Sequence, residues 1–470
     1  MGLQTKDILT GWRQILDLPP SDVHSGAPVE SGPVGRLGFM DNFWNWFGDS
    51  ANASSWYFGG LLALSGLPFL LGNIFLLTPL IILPWASLAY ISRKTGASTV
   101  MLARPVLGVV GARMFLGPME TLVQLGWTTV TTYMGATSIL ALMGLHGFGA
   151  TVSSLLFIAI LQGTVVAFGL PAIRLLKWVS SVGLLFFAGW ESWIVLEKWG
   201  FAHWPHLPEP SSPLSPGALV DISFINIWTW LQVGDFARHA TSRKSATQGA
   251  FWGLWTGQTW FVGVGAISML GLAVSRGHFD MADSDPGRML SGMGLGFVAL
   301  GVILLSSISV SASNLYGAGM GLSSLFPEKD PENVGKSLRA VSITQGFTAF
   351  LPLLFSSFLS YFTSFLTTIG GIFIPLWSIV LTDYFFCRKG QLSRDDFAFG
   401  DDRSSLWGGR GGFNPGGFLA LGLGVAFFYA ARQFFPAAGR LSGFVIPTII
   451  LSSVCYFLID RFRKTVGCSR

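Results

Sequence analysis

The chain has 470 residues, 51% hydrophobic and only 11% charged, with 40 Phe, 18 Trp and a net charge of +5. Soluble domains carry about a quarter charged residues, so this composition excludes a soluble globular protein and implies a chain that crosses a bilayer repeatedly. The modest positive charge gathers at segment ends and gives no reason to expect a nucleic-acid partner. Cys387, Cys455 and Cys468 show no metal-type spacing and read as reduced thiols.

Residues 1–34 are polar, contain Pro19-Pro20 and lack an apolar h-region, so no cleavable signal peptide is expected. Hydropathy then predicts twelve spans. Spans 1 to 6 fall at 38–67, 69–92, 109–142, 150–171, 176–199 and 218–238. Spans 7 to 12 fall at 248–275, 290–318, 337–357, 360–386, 415–434 and 441–461. With the N-terminus inside, only Lys198, Arg276, Arg288, Arg432 and Arg440 of the 29 Lys and Arg lie outside. The positive-inside rule thus puts both termini in the cytoplasm.

These spans divide the chain into a cytoplasmic tail (1–35), a first five-span repeat (36–199) and an extracellular Pro-rich loop (200–217). A second five-span repeat (218–386) follows. Next come a charged, Gly/Ser-rich cytoplasmic segment read as a mobile link (387–413), spans 11 and 12 (414–462) and a short tail (463–470). Five spans per half force span 6 to run opposite to span 1, the condition for an inverted repeat.

Span 1 is long enough to cross a bilayer, which takes about 20 residues. Yet Gly48-Asp49-Ser50-Ala51-Asn52 stands at its centre. Irregular backbone at membrane depth is tolerated only where protein or a water-filled cavity surrounds it. Broken spans of this kind hold substrates and ions in secondary transporters. A charge at mid-bilayer costs about 2.5–3.5 kcal/mol on insertion scales, so Asp49 requires a partner, an ion or water. A structural polar kink is the plainer alternative.

In span 3, Glu120, Gln124, Trp127 and Thr131 fall on one helical face. A carboxylate, an amide, an indole and a hydroxyl in one stripe offer a flat heterocycle a stacking surface and hydrogen bonds. The alternative is interhelical packing, and Glu120, nearest the cytoplasmic end, fits that best. Span 6 carries Trp228 and Trp230, either of which can complete a sandwich with Trp127. Asp235 and Arg238 near its end are spaced for an ion pair. Trp190, Trp193 and Trp199 at the outer end of span 5 read as an interfacial belt. In span 8, Ser306, Ser309 and Ser313 share a face of hard oxygen donors suited to a small cation, unless each bonds its own preceding turn. Asn314 can donate to and accept from a substrate. Glu191 and Asp383 have no assigned role.

Four stretches carry a resemblance: GDSANASSWYFGGLL at 48–62, VQLGWTTV at 123–130, VGDFAR at 233–238 and SSISVSASNLYGAG at 306–319. Together with FNPGGFLAL at 413–421, they resemble the nucleobase–cation symporter-1 family, nearest its hydroxymethylpyrimidine (thiamine precursor) permeases. The similarity runs over about 36–460. It implies an all-α leucine-transporter-like fold, with two inverted five-helix repeats, broken spans 1 and 6, and two peripheral helices. It also implies a ring held between Trp127 and either Trp228 or Trp230, with polar contacts from Thr131, Asn314 and Asn52. The cation site it implies uses Gly48, Ala51, Ser306 and Ser309. Asp49 stands where that branch is expected to carry a small residue, and either adds a sodium ligand or carries a proton.

The expected function is symport of a small planar nitrogen heterocycle with Na+ or H+, by rocking of spans 1, 2, 6 and 7 against 3, 4, 8 and 9. One charge entering down about 100 mV gains roughly 2.3 kcal/mol, and a tenfold ion gradient adds about 1.4. Together they support accumulation of several hundredfold. The protein is read as a monomer in the plasma membrane, with no cofactor. A ligand sensor on a transporter scaffold is the rival reading, though a sensor calls for an appended signalling domain. A membrane metalloenzyme needs clustered intramembrane His, and His24, His146, His203, His206, His239 and His278 all fall in loops or at span ends. A channel is disfavoured by the lack of a charged ring or filter-like repeat.

Overall fold

Helix-forming residues run out at the centre of span 1, and the computed structural model has two helices there, Phe39–Ser50 and Ala53–Ala63. It describes residues 37–167, 169–200, 203–204, 214–284, 289, 296–326, 332–354, 358–392 and 412–465. The N-terminal tail, most of the Pro-rich loop, the first residues of span 8, residues 393–411 of the charged segment and the last five residues lie outside that set. His24, His206, Arg288 and Cys468 fall there too. Among the described residues there is no strand beyond an isolated parallel bridge between Leu37 and Ala240.

Asn52 makes the break in span 1. Its Oδ1 accepts the Ser55 N–H at 2.9 Å and so caps the second helix, while its Nδ2 donates to the Asp49 carbonyl at the end of the first. Span 6 is broken too, into Pro216–Trp228 and Val233–Ala237, with no side-chain cap on the second piece. Span 2 runs over Leu67–Gly72, a π-turn at Asn73–Leu77, and Thr78–Thr95, where Gly96 closes it at φ +73°. Span 3 is a single helix, Val109–Met143.

The other spans are Phe148–Ala167, Gly169–Trp199, Arg243–Arg276, Gly296–Ser323, Glu332–Thr348, Phe358–Thr382, Pro415–Phe434 and Val445–Thr465. Span 9 starts earlier than hydropathy suggests and gives way to a 3₁₀ turn at Leu351–Leu354. Seven helices among the described residues are long and apolar enough to cross a membrane. The pieces of broken spans 1 and 6 and the polar-striped span 3 are not among them.

Lipid gives helices little hydrophobic reason to associate, so close packing of small residues takes over. Span 7 carries this to an extreme. A Cβ on Gly253 would lie 2.3 Å from the Phe43 carbonyl oxygen, and one on Gly265 would lie 2.1 Å from that of Trp56. Span 7 therefore rests directly on both halves of span 1. Span 6 is tied to span 2 through polar contacts: Asn73 Nδ2 donates to Ser223 Oγ at 2.7 Å. On the other side, Gln162 of span 4 accepts from Thr132 of span 3 and from Gln345 of span 9, at 2.7 and 2.6 Å.

Spans 11 and 12 are fastened by two carboxylates. Asp221 of span 6 accepts the Phe444 and Val445 N–H groups, both at 2.8 Å, and the Arg432 guanidinium at 3.1 Å. It thereby caps the start of span 12. Asp383 accepts the Tyr456 hydroxyl at 2.9 Å and pairs with Arg388, which gives this residue a structural place. The chain entering span 11 is pinned as well, since the Gly412 carbonyl accepts the Val110 N–H at 3.0 Å.

Gly253→Leu should force span 7 away from span 1 and cost about 1–3 kcal/mol, the usual range for overpacking. Thermal melting in detergent tests this, with Gly263→Leu as control because a Cβ there meets nothing within 4 Å.

A candidate substrate and ion site at the two helix breaks

The stripe on span 3 climbs past the break of span 6. Glu120 packs against Asp235, Arg238 and Thr99. Asp235 accepts the Thr99 hydroxyl at 3.0 Å, so this end of span 6 is held by a polar cluster. One turn further on, Gln124 Nε2 donates to Gln232 Oε1 at 2.6 Å. The Trp127 indole N–H then donates to Thr229 Oγ1 at 3.3 Å. Thr229 and Gln232 both lie between the two helices of span 6. Thr131, above them, bonds to Ser311 of span 8 at 2.6 Å.

Trp127 is buried, 3% exposed, and stands edge-on to Phe365 and Phe362 of span 10 with centroids 5.4 and 6.3 Å away. The two span 6 tryptophans have different surroundings. The Trp228 indole donates to the Ile81 carbonyl at 3.0 Å, so it faces span 2. Trp230 lies in the break itself, 5% exposed, and its carbonyl accepts the Trp85 N–H at 3.3 Å.

Span 8 approaches this ground through Gly317, where an added Cβ would sit 3.0 Å from Gln124 Nε2 and 3.3 Å from Gln232 Cβ. Asn314, three residues earlier, makes no side-chain hydrogen bond to a described residue, although it is 4% exposed. Gln124 Oε1 is likewise a buried acceptor without a donor. Asn52, expected beside the substrate, has its amide committed within span 1, where Ser54 also donates to its Oδ1.

At the break of span 1, Asp49 is paired with Lys177 of span 5, and both side chains are buried, 2% and 1% exposed. Gln232 and Ser313 lie beside the same carboxylate. Ser306 Oγ donates to the Ala51 carbonyl at 2.8 Å, and Ser309 Oγ bonds Ser180 Oγ of span 5 at 2.7 Å. Gly48 lies against the Lys177 stem, where an added Cβ would sit 3.2 Å from Cδ. The residues proposed for the ion therefore share one neighbourhood with a lysine that sequence reasoning passed over. The signal was there: two opposite charges inside apolar spans require each other. Hydropathy began span 5 at 176, which made Lys177 look like an end residue, whereas the helix starts at Gly169. Gln232 and Thr229 were missed because turn residues carry no periodicity.

Glu191 is buried and accepts the Ser268 hydroxyl of span 7 at 2.7 Å. Trp190 and Trp193 lie on the exposed face of span 5. Among the described residues no group of three or more His, Cys, Asp or Glu could hold a metal ion.

Residues 36–450 match the family model described as permeases for cytosine/purines, uracil, thiamine and allantoin. The chain is 26% identical to the cytosine permease of Escherichia coli (strain K12) over 309 residues, covering 64% of this chain and 67% of the relative. It is 25% identical to the allantoin permease of Bacillus subtilis (strain 168) over 400 residues, 78% of each. Its fold aligns with Mhp1, a nucleobase-cation-symport-1 family transporter solved closed with bromovinylhydantoin bound. The TM-score is 0.72 at 17% identity, over 94% of this chain and 96% of that one. The inward-facing conformation of Mhp1 aligns with a TM-score of 0.67 at 16% identity, over 94% of each chain.

Removing one member of a buried ion pair strands the other, at a cost of about 3–5 kcal/mol, whereas neutralising both is far milder. Lys177→Ala should therefore melt well below the wild type, and Asp49→Asn with Lys177→Met should recover most of the loss. Chemical denaturation of the three proteins in detergent reads the difference directly.

Proposed function

This chain belongs to the permease family for cytosine/purines, uracil, thiamine and allantoin, and on that footing we propose that its two helix breaks hold a flat, N–H-bearing heterocycle. The protein is a cation-coupled secondary transporter of the nucleobase type that works by alternating access. The observation that carries the substrate reading is the unspent Gln124 side-chain oxygen, one turn from Trp127 on the same helix. Gln124 Oε1 is buried without a donor, and Asn314 offers both a donor and an acceptor. Buried polar atoms left unpaired are costly. A ring with N–H and C=O groups on its edge satisfies them, while its face lies on the indole.

In this reading Trp127 supplies the stacking surface and Trp230, in the break, supplies the opposing aromatic. Trp228 keeps span 6 on span 2 instead. Gln124 and Gln232 hold each other until a ring edge competes for them. Thr131 and Asn52 act at one remove, by fixing span 8 and the break of span 1. Cytosine, uracil, oxopurines, hydantoins and allantoin present such an edge, whereas adenine and hydroxymethylpyrimidine offer an amino group and ring nitrogens in its place.

The packing supports the rocking motion. Glycine contacts lock span 7 to span 1, and buried hydrogen bonds tie span 6 to span 2. Spans 3, 4 and 9 share the Thr132–Gln162–Gln345 cluster. Between the two bodies, the links beside Trp127 include single hydrogen bonds, from Gln124 to Gln232 and from Trp127 to Thr229. Such bonds exchange with ligand or water at little net cost, so the bodies separate there and stay intact within. We place the protein in the plasma membrane as a monomer, with both termini cytoplasmic on the strength of the Lys and Arg distribution.

Proteoliposomes offered a panel of labelled pyrimidines, purines, hydantoins and allantoin from outside test this reading. At least one ring should accumulate under an imposed ion gradient. Trp127→Ala should weaken its binding by the worth of one stacked base, about 1–3 kcal/mol or roughly 5- to 150-fold in Kd. Accumulation of none of these rings by folded protein would remove the substrate assignment. Gly317→Val should also weaken binding, because its side chain displaces the paired glutamines; unchanged affinity would detach span 8 from the site.

A further inference from the structure

Four groups at the break of span 1 have the chemistry of a sodium site: the carbonyls of Gly48 and Ala51 and the hydroxyls of Ser306 and Ser309. The structure shows most of this ground already taken. The Ala51 carbonyl accepts the Ser306 hydroxyl, and the Ser309 hydroxyl is bonded to Ser180. Gly48 packs against span 5, where an added Cβ would meet the Ser181 hydroxyl and the stem of Lys177, whose carbonyl accepts from the same Ser180 at 3.3 Å. The Lys177 ammonium ends on Asp49, the residue after Gly48, and the pair is closed to solvent.

We propose that the Lys177 ammonium supplies the positive charge that the family resemblance assigns to a bound sodium ion, so that this chain takes up its substrate without sodium. Lysine is a compact, directional point charge with three donors, and oxygen-rich ground at the end of a broken helix suits it as it suits a metal ion. Asp49 and Lys177 together are neutral. A sodium ion beside them would be an uncompensated buried charge facing an ammonium in a poorly screened interior. The second carboxylate oxygen of Asp49 makes no direct hydrogen bond to a described residue, and the Ser313 hydroxyl and the Gln232 side chain stand beside the carboxylate as neutral hydrogen-bonding groups. A neutral donor such as a ring N–H or a water satisfies that oxygen, and no second cation is required. The four oxygens therefore match a sodium site by type, and the charge already present excludes the ion.

This inference rests on the transporter reading but is tested apart from it. Purified wild type should show no saturable binding of radioactive sodium. Its melting temperature should be the same in sodium chloride as in choline chloride of equal ionic strength. Lys177→Ser leaves Asp49 facing the vacated oxygens and should acquire both saturable sodium binding and a sodium-specific rise in melting temperature. Asp49→Asn with Lys177→Met, neutral at both positions, should fold and bind none. Saturable sodium binding by the wild type would overturn the proposal, and so would a folded Lys177→Ser protein that ignores sodium. Should Lys177→Ser fail to fold, the wild-type measurements still decide. In proteoliposomes, uptake in sodium-free buffer under a pH gradient supports the proposal. Uptake that demands sodium overturns it while leaving the transporter reading standing. The transporter reading fails on a different result, the absence of uptake of any ring under either gradient.

Discussion

Every backbone polar group inside a bilayer must find a partner in the protein, and this fold interrupts two of its spans where that demand is most severe. Side chains from neighbouring spans meet it. The Ala51 carbonyl takes the Ser306 hydroxyl, the Trp230 carbonyl takes the Trp85 indole, and the Leu231 carbonyl takes the Thr99 hydroxyl at 2.5 Å. Asn52 closes the first gap from within, capping one helix and tying back to the other. The breaks are thus places where span 8, span 2 and the segment that follows span 2 send polar groups inward. The binding ground is the outcome of satisfying the broken backbone.

The same constraint sorts the contacts by kind. Where two helices are packed as closely as spans 1 and 7, glycine brings backbone onto backbone and leaves no room for sliding. Around Trp127, spans 3 and 6 meet through hydrogen bonds between side chains, glutamine to glutamine and indole to hydroxyl. Dispersion contacts at that distance are lost outright when helices part, whereas a hydrogen bond has a substitute in a ligand or a water. A transporter needs both sorts, and the division between them follows the line along which the proposed rocking would open it.

The ion pair of Asp49 and Lys177 adds a third tie, between the broken span and span 5. A buried pair is weak evidence for stability, yet removing one partner is strongly destabilising unless something else answers the charge left behind. It fixes where the break of span 1 stands relative to span 5, and it decides the charge that the site presents to anything entering it.

Much of this was legible in the residues alone. Hydropathy located twelve apolar segments, the Gly48–Asn52 interruption marked the first break, and the spacing of Gln124, Trp127 and Thr131 put them on one face, because helical period is a local property. Choosing between Trp228 and Trp230 was beyond reach, since two residues apart on a helix that stops at Trp228 their directions depend on the turn that follows. Gln232 and Thr229 were invisible for the same reason. The partner of Asp49 lay 128 positions away, and only the packing of span 5 against span 1 brought it in. Local chemistry set which residues bend, cap and stack; pairing across the bundle depends on how helices cross in three dimensions, and no periodicity along one strand of sequence encodes that.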